Sequence, residues 1–169
     1  MPHALARPAK IIPDPRIDWP ERREPSSAQV FAQNTIDIVA APEIVWSLLI
    51  DCEQWPSWYS HCSDVSILRA GPLLGPNCRF RFKTLGFFFE PEIDRFEPSR
   101  FLLWSAKGPA GTSGAHAWYI EPTSTGCHVV TEEAQRGLLL AMIGRRTRKR
   151  LLTAHEEWLR ALKVLAERS

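Results

Sequence analysis

Several features that mark familiar classes of protein are missing from this sequence. It has only four cysteines, none of them in a Cys-x-x-Cys pair, and their spacing matches no zinc site. No run of about 18 apolar residues is present, which argues against a transmembrane helix. The first ten residues lack the apolar core of a secretory signal. We therefore expect a cytoplasmic protein whose cysteines stay reduced and act as small, buried apolar side chains.

An excess of one charge is also missing. The 21 basic and 19 acidic side chains give a formal net charge of +2, which argues against a dedicated nucleic-acid-binding protein. There is no glycine-rich phosphate loop, no Gly-x-Ser-x-Gly motif and no dinucleotide fingerprint. The five histidines are scattered and form no His-Glu-x-x-His motif. We expect neither a metal nor another cofactor.

Proline, by contrast, is concentrated at the N-terminus. Six of the fourteen prolines lie within the first 25 residues. Because proline fixes φ and removes a backbone donor, residues 1–32 are predicted to form a mostly irregular arm. Ile11, Ile12, Ile17 and Trp19 are the side chains that could attach this arm to the surface of the domain. The remaining 33–169 fit one domain with a substantial core.

Hydrophobic periodicity within 33–169 predicts a mixed α+β fold. A strand near residues 35–38 is followed by a helix that begins at Pro42 and by a second, short helical turn near Trp55. Alternating apolar residues predict further strands near residues 65–67, 78–83, 87–96, 101–107, 113–120 and 127–135. Apolar residues at helical spacing in 151–166 predict a long terminal helix. Short links between strands favour an antiparallel sheet of about seven strands, curved around that helix.

Certain segments carry a family resemblance. They are the stretch 38–46, the sequence Trp-Pro-Ser-Trp-Tyr at 55–59, the hairpin from Tyr119 to Thr131 and the terminal helix. Together they resemble the START-related helix-grip superfamily, also called SRPBCC, and within it the polyketide cyclase/dehydrase-like branch. The likeness covers roughly residues 33–168 and implies a ligand cavity between the sheet and the terminal helix. The glycine-rich loop of the plant allergen branch is absent, so the ligands of that branch are not implied.

Strand and helix periodicity nominates the side chains that face this cavity. The candidate ligand-binding residues are Phe80, Phe82, Phe89, Ile93, Trp104, His116, Trp118, His155, Trp158 and Leu162. The alternative is that these side chains simply fill the core. His155, in the middle of the apolar stripe of the helix, and His116, on an inward strand position, are the candidate catalytic residues because imidazole titrates near neutral pH. The alternative for each is a core histidine bonded to a backbone carbonyl.

Two groups of charged residues need separate interpretation. Arg95 shares the apolar parity of Ile93, so it is either a buried anchor for an anion or, if a β-bulge lies near Asp94, an exposed residue whose place is taken by Phe96. The second alternative is favoured. The cationic run comprises Arg145, Arg146, Arg148, Lys149 and Arg150. Such a run usually forms a solvated surface, and contact with anionic lipid is the less favoured alternative.

Three functions remain open at this point. The favoured one is binding of a small hydrophobic or aromatic molecule, such as a lipid, a polyketide-like compound or an isoprenoid. The first alternative is a cofactor-independent cyclase or dehydratase that uses general acid–base catalysis in the same cavity. The second is a protein-interaction module that uses the arm and the cationic run.

Overall fold

Eight antiparallel strands and three α-helices make up the described part of the chain, residues 12–69 and 71–169 of a computed structural model. The strands are β1 (Val30–Ile38), β2 (Cys62–Arg69), β3 (Arg79–Thr84), β4 (Phe87–Phe89), β5 (Glu92–Glu97), β6 (Phe101–Lys107), β7 (Ser113–Thr123) and β8 (Gly126–Arg136). The helices are α1 (Pro42–Ile50), α2 (Trp55–Trp58) and α3 (Leu138–Ala166). The sheet order is β1-β8-β7-β6-β5-β3-β2, and β4 pairs with β3. The predicted helix-grip architecture is confirmed.

The extra strand comes from a break in the predicted strand 87–96. Pro91 lies between β4 and β5, and because proline has no N–H it interrupts the hydrogen-bond ladder. At Pro122 the opposite happens. β7 continues through this residue to Thr123, with Pro122 opposite Cys127, so only Ser124 and Thr125 lie in the turn to β8.

α3 closes the concave face of the sheet along its second half. It begins after Gly137, whose φ of 138° is accessible mainly to glycine and where a Cβ would lie 3.0 Å from Thr112 Cα. Its buried residues are Leu140, Leu151, Ala154, His155, Trp158, Leu159, Leu162 and Ala166. Leu140 and Leu151, in the first half, pack against Val30 and Ala32 of β1, and the other six pack in the second half of the helix. None of the described helices has both the length and the apolar composition needed to cross a membrane.

All four cysteines are unpaired and buried, as predicted. Burial raises the pKa of Cys52 and Cys62 to about 12 and that of Cys127 to about 11. These thiols therefore stay protonated near neutral pH and are poor nucleophiles. Their role is to fill space in the core.

The N-terminal arm packs against the outer face of the sheet. Ile17 is buried in a cluster of outward-facing side chains from β6, β7 and β8, and Trp19 lies half-buried beside it. Glu132 Oε1, under the arm, accepts a hydrogen bond from the backbone N–H of Asp14 at 2.6 Å. Ile12 is exposed, and Ile11 lies outside the described residues. The arm thus covers an apolar patch on the side of the sheet opposite α3.

Replacing Ile17 with alanine is expected to lower the free energy of unfolding by about 2 kcal/mol, because it removes a buried side chain from this cluster. Ile12→Ala is the matched control, since Ile12 is 76% exposed and should change stability by less than about 0.5 kcal/mol. Urea unfolding followed by circular dichroism measures both. Equal stabilities for the two variants would show that the arm does not contribute to the folded core.

Candidate functional site

A cavity of about 270 Å³ lies between the concave face of the sheet and the first half of α3. Its walls are mostly apolar. The sheet contributes Phe82, Phe87, Phe89 and Trp104, and the helix contributes Leu140 and Ile143 among others. The volume is at the small end of the range for ligand pockets, roughly 300–1,000 Å³. A small organic molecule therefore fits, and an extended lipid would have to project from the mouth.

A polar cluster interrupts the apolar wall at one place. His116 on β7 and Glu133 on β8 both line the cavity, and His155 on α3 lies behind Glu133. Glu133 Oε2 is 3.1 Å from His155 Nε2 and 3.7 Å from His116 Nδ1. The other carboxylate oxygen, Oε1, accepts a hydrogen bond from the side-chain amide of Gln135 at 2.5 Å. We call His116, Glu133 and His155 the His-Glu-His cluster.

One ring nitrogen of His116 has a hydrogen-bond partner and the other faces Glu133. His116 Nε2 lies 2.7 Å from the hydroxyl oxygen of Thr131, which also lies 3.3 Å from the carbonyl oxygen of Ala117. Burial holds the pKa of His116 well below its ordinary value, so the ring is neutral near pH 7. Its Nδ1 faces Glu133 Oε2 at 3.7 Å.

Glu133 remains a carboxylate despite its position. Burial alone would raise its pKa, but the hydrogen bond from His155 and the nearby imidazoles outweigh burial and hold the pKa of Glu133 well below its ordinary value. Among the described residues it is paired with neither lysine nor arginine. The cavity thus contains one negative charge whose partners are imidazoles and an amide.

Aromatic rings surround the cluster on its inner side. The rings of His116 and His155 are stacked, with centroids 4.7 Å apart and planes at 23°. Trp104, Trp118 and Trp158 contact the His116 ring at centroid distances of 4.9, 5.2 and 5.8 Å. In the described part of the protein, Nδ1 of His155 and the indole nitrogens of Trp118 and Trp158 are buried without a hydrogen-bond partner. Hydrogen-bonding capacity at the cluster is therefore not fully used by the protein itself.

The family model for polyketide cyclase/dehydrase and lipid transport matches residues 29–167. The chain belongs to this family. The match covers the whole predicted helix-grip domain and confirms the resemblance inferred from the sequence. A search of curated proteins gave no match.

Solved structures of the same fold include proteins of different functions. A hypothetical protein of Helicobacter pylori, jhp0584, superimposes with a TM-score of 0.82 at 23% identity over 93% of this chain and 99% of its own. The di-domain aromatase/cyclase StfQ from the steffimycin biosynthetic pathway gives 0.66 at 16% identity over 82% and 51%. A START superfamily protein of Mycobacterium smegmatis gives 0.62 at 15% identity over 82% and 97%. The superpositions show that this chain has the same fold as these proteins.

The predicted site residues separate into two sets in this family member. Phe82, Phe89, Trp104 and His116 line the cavity. Phe80, Ile93, Trp118, Trp158 and Leu162 also face the concave side of the sheet, where they pack in the closed core beside α3. His155 is buried and reaches the cavity only through Glu133.

Arg95 is on the outer face of the sheet, as expected from the alternative with a β-bulge near Asp94. The pairing of β5 with β6 shifts register between Ile93 and Arg95, which turns the arginine to the outer face, 2.9 Å from Asp18 of the arm. Phe96 points inward and its ring meets Trp46 edge-on at 5.1 Å. The favoured prediction for this strand is confirmed, and Arg95 does not serve as an anchor in the cavity.

Glu133 is the site residue that sequence reasoning missed. Val129, Thr131 and Glu133 alternate along β8 with the same parity, so an acidic residue on the apolar face was detectable once Val129 was taken as inward-facing. An acid at such a position is rarely buried without a function or a partner. The sequence signal was therefore present in the alternation.

Exposed apolar side chains and cations are also found on α3 and β4, two elements that contribute to the cavity wall. Leu138 and Met142 on the first turns of α3 are 92% and 85% exposed, and Phe88 on β4 is 54% exposed. Arg81 and Lys83 lie over the ring of Phe88. Of the cationic run on α3, Arg148 is half-buried and donates to the Phe31 carbonyl at 2.9 Å, and the other four residues are exposed.

Proposed function

We propose that this protein binds a small, mainly apolar or aromatic molecule in the cavity between the sheet and α3. The observation that supports this most is the composition of the cavity: mostly aromatic and aliphatic walls with a small number of polar groups, among them His116 and Glu133. Such a site excludes highly charged ligands and orients an apolar one through a few polar contacts. Membership in a family described by lipid transport and polyketide cyclisation favours lipid, isoprenoid or polyketide-like ligands.

The charge at the His-Glu-His cluster narrows the ligand further. A carboxylate accepts hydrogen bonds, so Glu133 favours a ligand that directs a hydroxyl or an amine towards it and disfavours one with a carboxylate there. Four aromatic side chains in the walls favour a flat ring system. A phenol or another hydroxylated ring compound meets both conditions.

Filling the cavity tests this proposal. Ala106 is half-buried and lines the cavity from β6, so Ala106→Phe should occupy part of the ligand volume and weaken binding at least 10-fold. Thr153→Phe, at an exposed position of α3, adds the same ring outside the cavity and should leave affinity unchanged. The ligand is first identified by native mass spectrometry of protein purified from its own host. A preparation that retains no small molecule, together with Ala106→Phe protein that binds phenolic probes as well as the wild type, would contradict the proposal.

A second candidate function is catalysis by the same cluster. The observation in its favour is the hydrogen bond between His155 and Glu133, which places a paired carboxylate and imidazole beside a mostly apolar cavity. Glu133 and His116 would touch a substrate, and His155 would act through Glu133 as a positioning residue. Both cavity-facing groups have pKa values far below neutral, which makes them weak bases, so binding remains the first proposal.

We also propose that the first turns of α3, beside the cavity, contact anionic lipid, in a cytoplasmic setting to which the four reduced cysteines are suited. Exposed Leu138 and Met142 can enter the interfacial region of a bilayer. The four exposed cations of the run then lie next to the headgroups, where each contributes about 1 kcal/mol of attraction. An apolar ligand could thereby pass between the membrane and the cavity without crossing bulk water.

Vesicle flotation tests this contact. Wild-type protein should float with vesicles that contain about 30% phosphatidylglycerol and remain unbound with phosphatidylcholine alone. Leu138→Glu combined with Met142→Glu should reduce binding at least 10-fold, because both charges would have to enter the interface. Val164→Glu, on the far end of the same helix and 46% exposed, is the control that should bind normally. Equal flotation of both variants would exclude the first turns of α3 as the contact surface.

A further inference from the structure

The His-Glu-His cluster places a carboxylate beside a ring nitrogen to which it is not hydrogen-bonded. His116 Nδ1 lies 3.7 Å from Glu133 Oε2, beyond hydrogen-bonding distance. The donors to Glu133 among the described residues are His155 and Gln135, and neither is a cation-bearing lysine or arginine. A metal ion between His116 Nδ1 and Glu133 Oε2 would bond both atoms and compensate the negative charge of the carboxylate.

The arrangement of the donor atoms suits an ion. One ligand atom from each of the three side chains lies within 4.8 Å of the other two. Ligands bonded to one zinc ion at about 2.0–2.2 Å are separated by roughly 3–3.6 Å from one another. The observed separations of 3.1 and 3.7 Å from Glu133 Oε2 to the two ring nitrogens are close to this range. From these contacts we infer that His116, Glu133 and His155 bind one divalent transition-metal ion at the edge of the cavity.

Small movements complete the site. An ion lies in the plane of each imidazole that binds it. The rings of His116 and His155 are stacked with their planes at 23°, so both must rotate about χ2 until their nitrogens point at the same ion. The χ2 well of histidine is broad, which makes this rotation easy. Metal binding through Nε2 also moves the His155 proton to Nδ1, which has no acceptor in the described part of the protein. That loss is smaller than what three metal–ligand bonds supply.

The donor set indicates the kind of metal. Two imidazoles and one carboxylate suit zinc or iron(II) better than magnesium or calcium, which prefer oxygen ligands. His116 already has the outer hydrogen bond typical of a metal-binding histidine, through Thr131 to the Ala117 carbonyl. Three protein ligands leave coordination positions open towards the cavity, where a hydroxylated ligand of the kind proposed above could bind directly. The inference stands on the cluster itself and does not require that ligand.

Titration of metal-stripped protein with zinc and with cobalt(II) tests the inference. The wild type should bind one ion per chain with a Kd below about 1 µM, and Glu133→Gln and His155→Gln should each raise the Kd at least 100-fold. The matched control is His128→Gln. His128 forms an exposed pair with Asp37 at 2.6 Å, which has the same chemistry without the third ligand or the burial, so its loss should leave the Kd unchanged.

A second measurement keeps the inference testable if a variant fails to fold. Cobalt(II)-loaded wild-type protein should show paramagnetically shifted NMR signals from two imidazole rings. Shifted signals from fewer than two rings, or a wild-type Kd above about 100 µM, would overturn the site. Ligand retention by native mass spectrometry is measured separately on metal-stripped protein, so loss of the metal site and loss of the proposed binding function are distinguishable.

Discussion

Replacing Trp55 with alanine is expected to lower the free energy of unfolding by about 3–5 kcal/mol, a large part of the 5–15 kcal/mol typical of a domain. Trp55 is fully buried, and its ring contacts those of Phe80, Phe82, Trp104 and Trp158 at centroid distances of 5.0–6.0 Å. Its indole N–H donates to the Leu49 carbonyl at 3.1 Å. The variant would leave a cavity among these rings and an unpaired carbonyl at the end of α1.

Urea unfolding measures this effect, with Trp58→Ala as the control. Trp58 belongs to the same short helix and is only half-buried, so its replacement should cost less than half as much. Trp55→Phe keeps most of the volume but removes the hydrogen bond to Leu49, and it should fall between the two. Similar losses for Trp55→Ala and Trp58→Ala would show that the core is not centred on Trp55.

The strands were predictable because one face of each strand packs into the core, which makes apolar and polar residues alternate along its sequence. β6 has the predicted bounds, and the residues of β3 and β7 face the sides that parity assigned to them. The bulge before Arg95 could be anticipated because an arginine cannot remain on an apolar face without a partner. The long helix was predictable from its apolar stripe, which matches its buried residues.

The position of the cavity was not predictable from the same signals. The alternation of residues along a strand predicts which side chains face inward, but not whether those side chains contact a helix or line a cavity. Phe82 lines the cavity and Phe80, two residues away on the same face, does not. The difference arises because the second half of α3 packs into the main core, whereas its first half packs against β1 and leaves the cavity beside it, which depends on tertiary contacts. Trp55 was missed for a related reason: a four-residue helix has no periodicity to reveal its buried side.

Glu133→Gln is expected to distinguish ligand binding from catalysis at the cavity. If the cavity catalyses a reaction, Glu133 is the charged group that touches the substrate, and its replacement should lower kcat and kcat/KM together by about 10²-fold or more. If the protein only binds, the variant should weaken a ligand that donates a hydroxyl to Glu133 by about 10-fold and leave its methyl ether unchanged. Because its pKa is low, Glu133 is a weak base. We therefore expect any decrease in kcat to lie at the lower end of the usual 10²–10⁴-fold range.

Two further variants, His155→Gln and its control His61→Gln, complete this test. All measurements use metal-stripped protein, so that a change in activity cannot result from the loss of a bound metal ion. Glutamine at 155 can still donate to Glu133, so a positioning role predicts a smaller loss of turnover than Glu133→Gln causes, with KM nearly unchanged. His61 forms an exposed pair with Glu157 at 2.6 Å and should have no effect. Turnover that survives intact in Glu133→Gln would exclude a catalytic carboxylate in the cavity, because among the described residues no other carboxylate lines it.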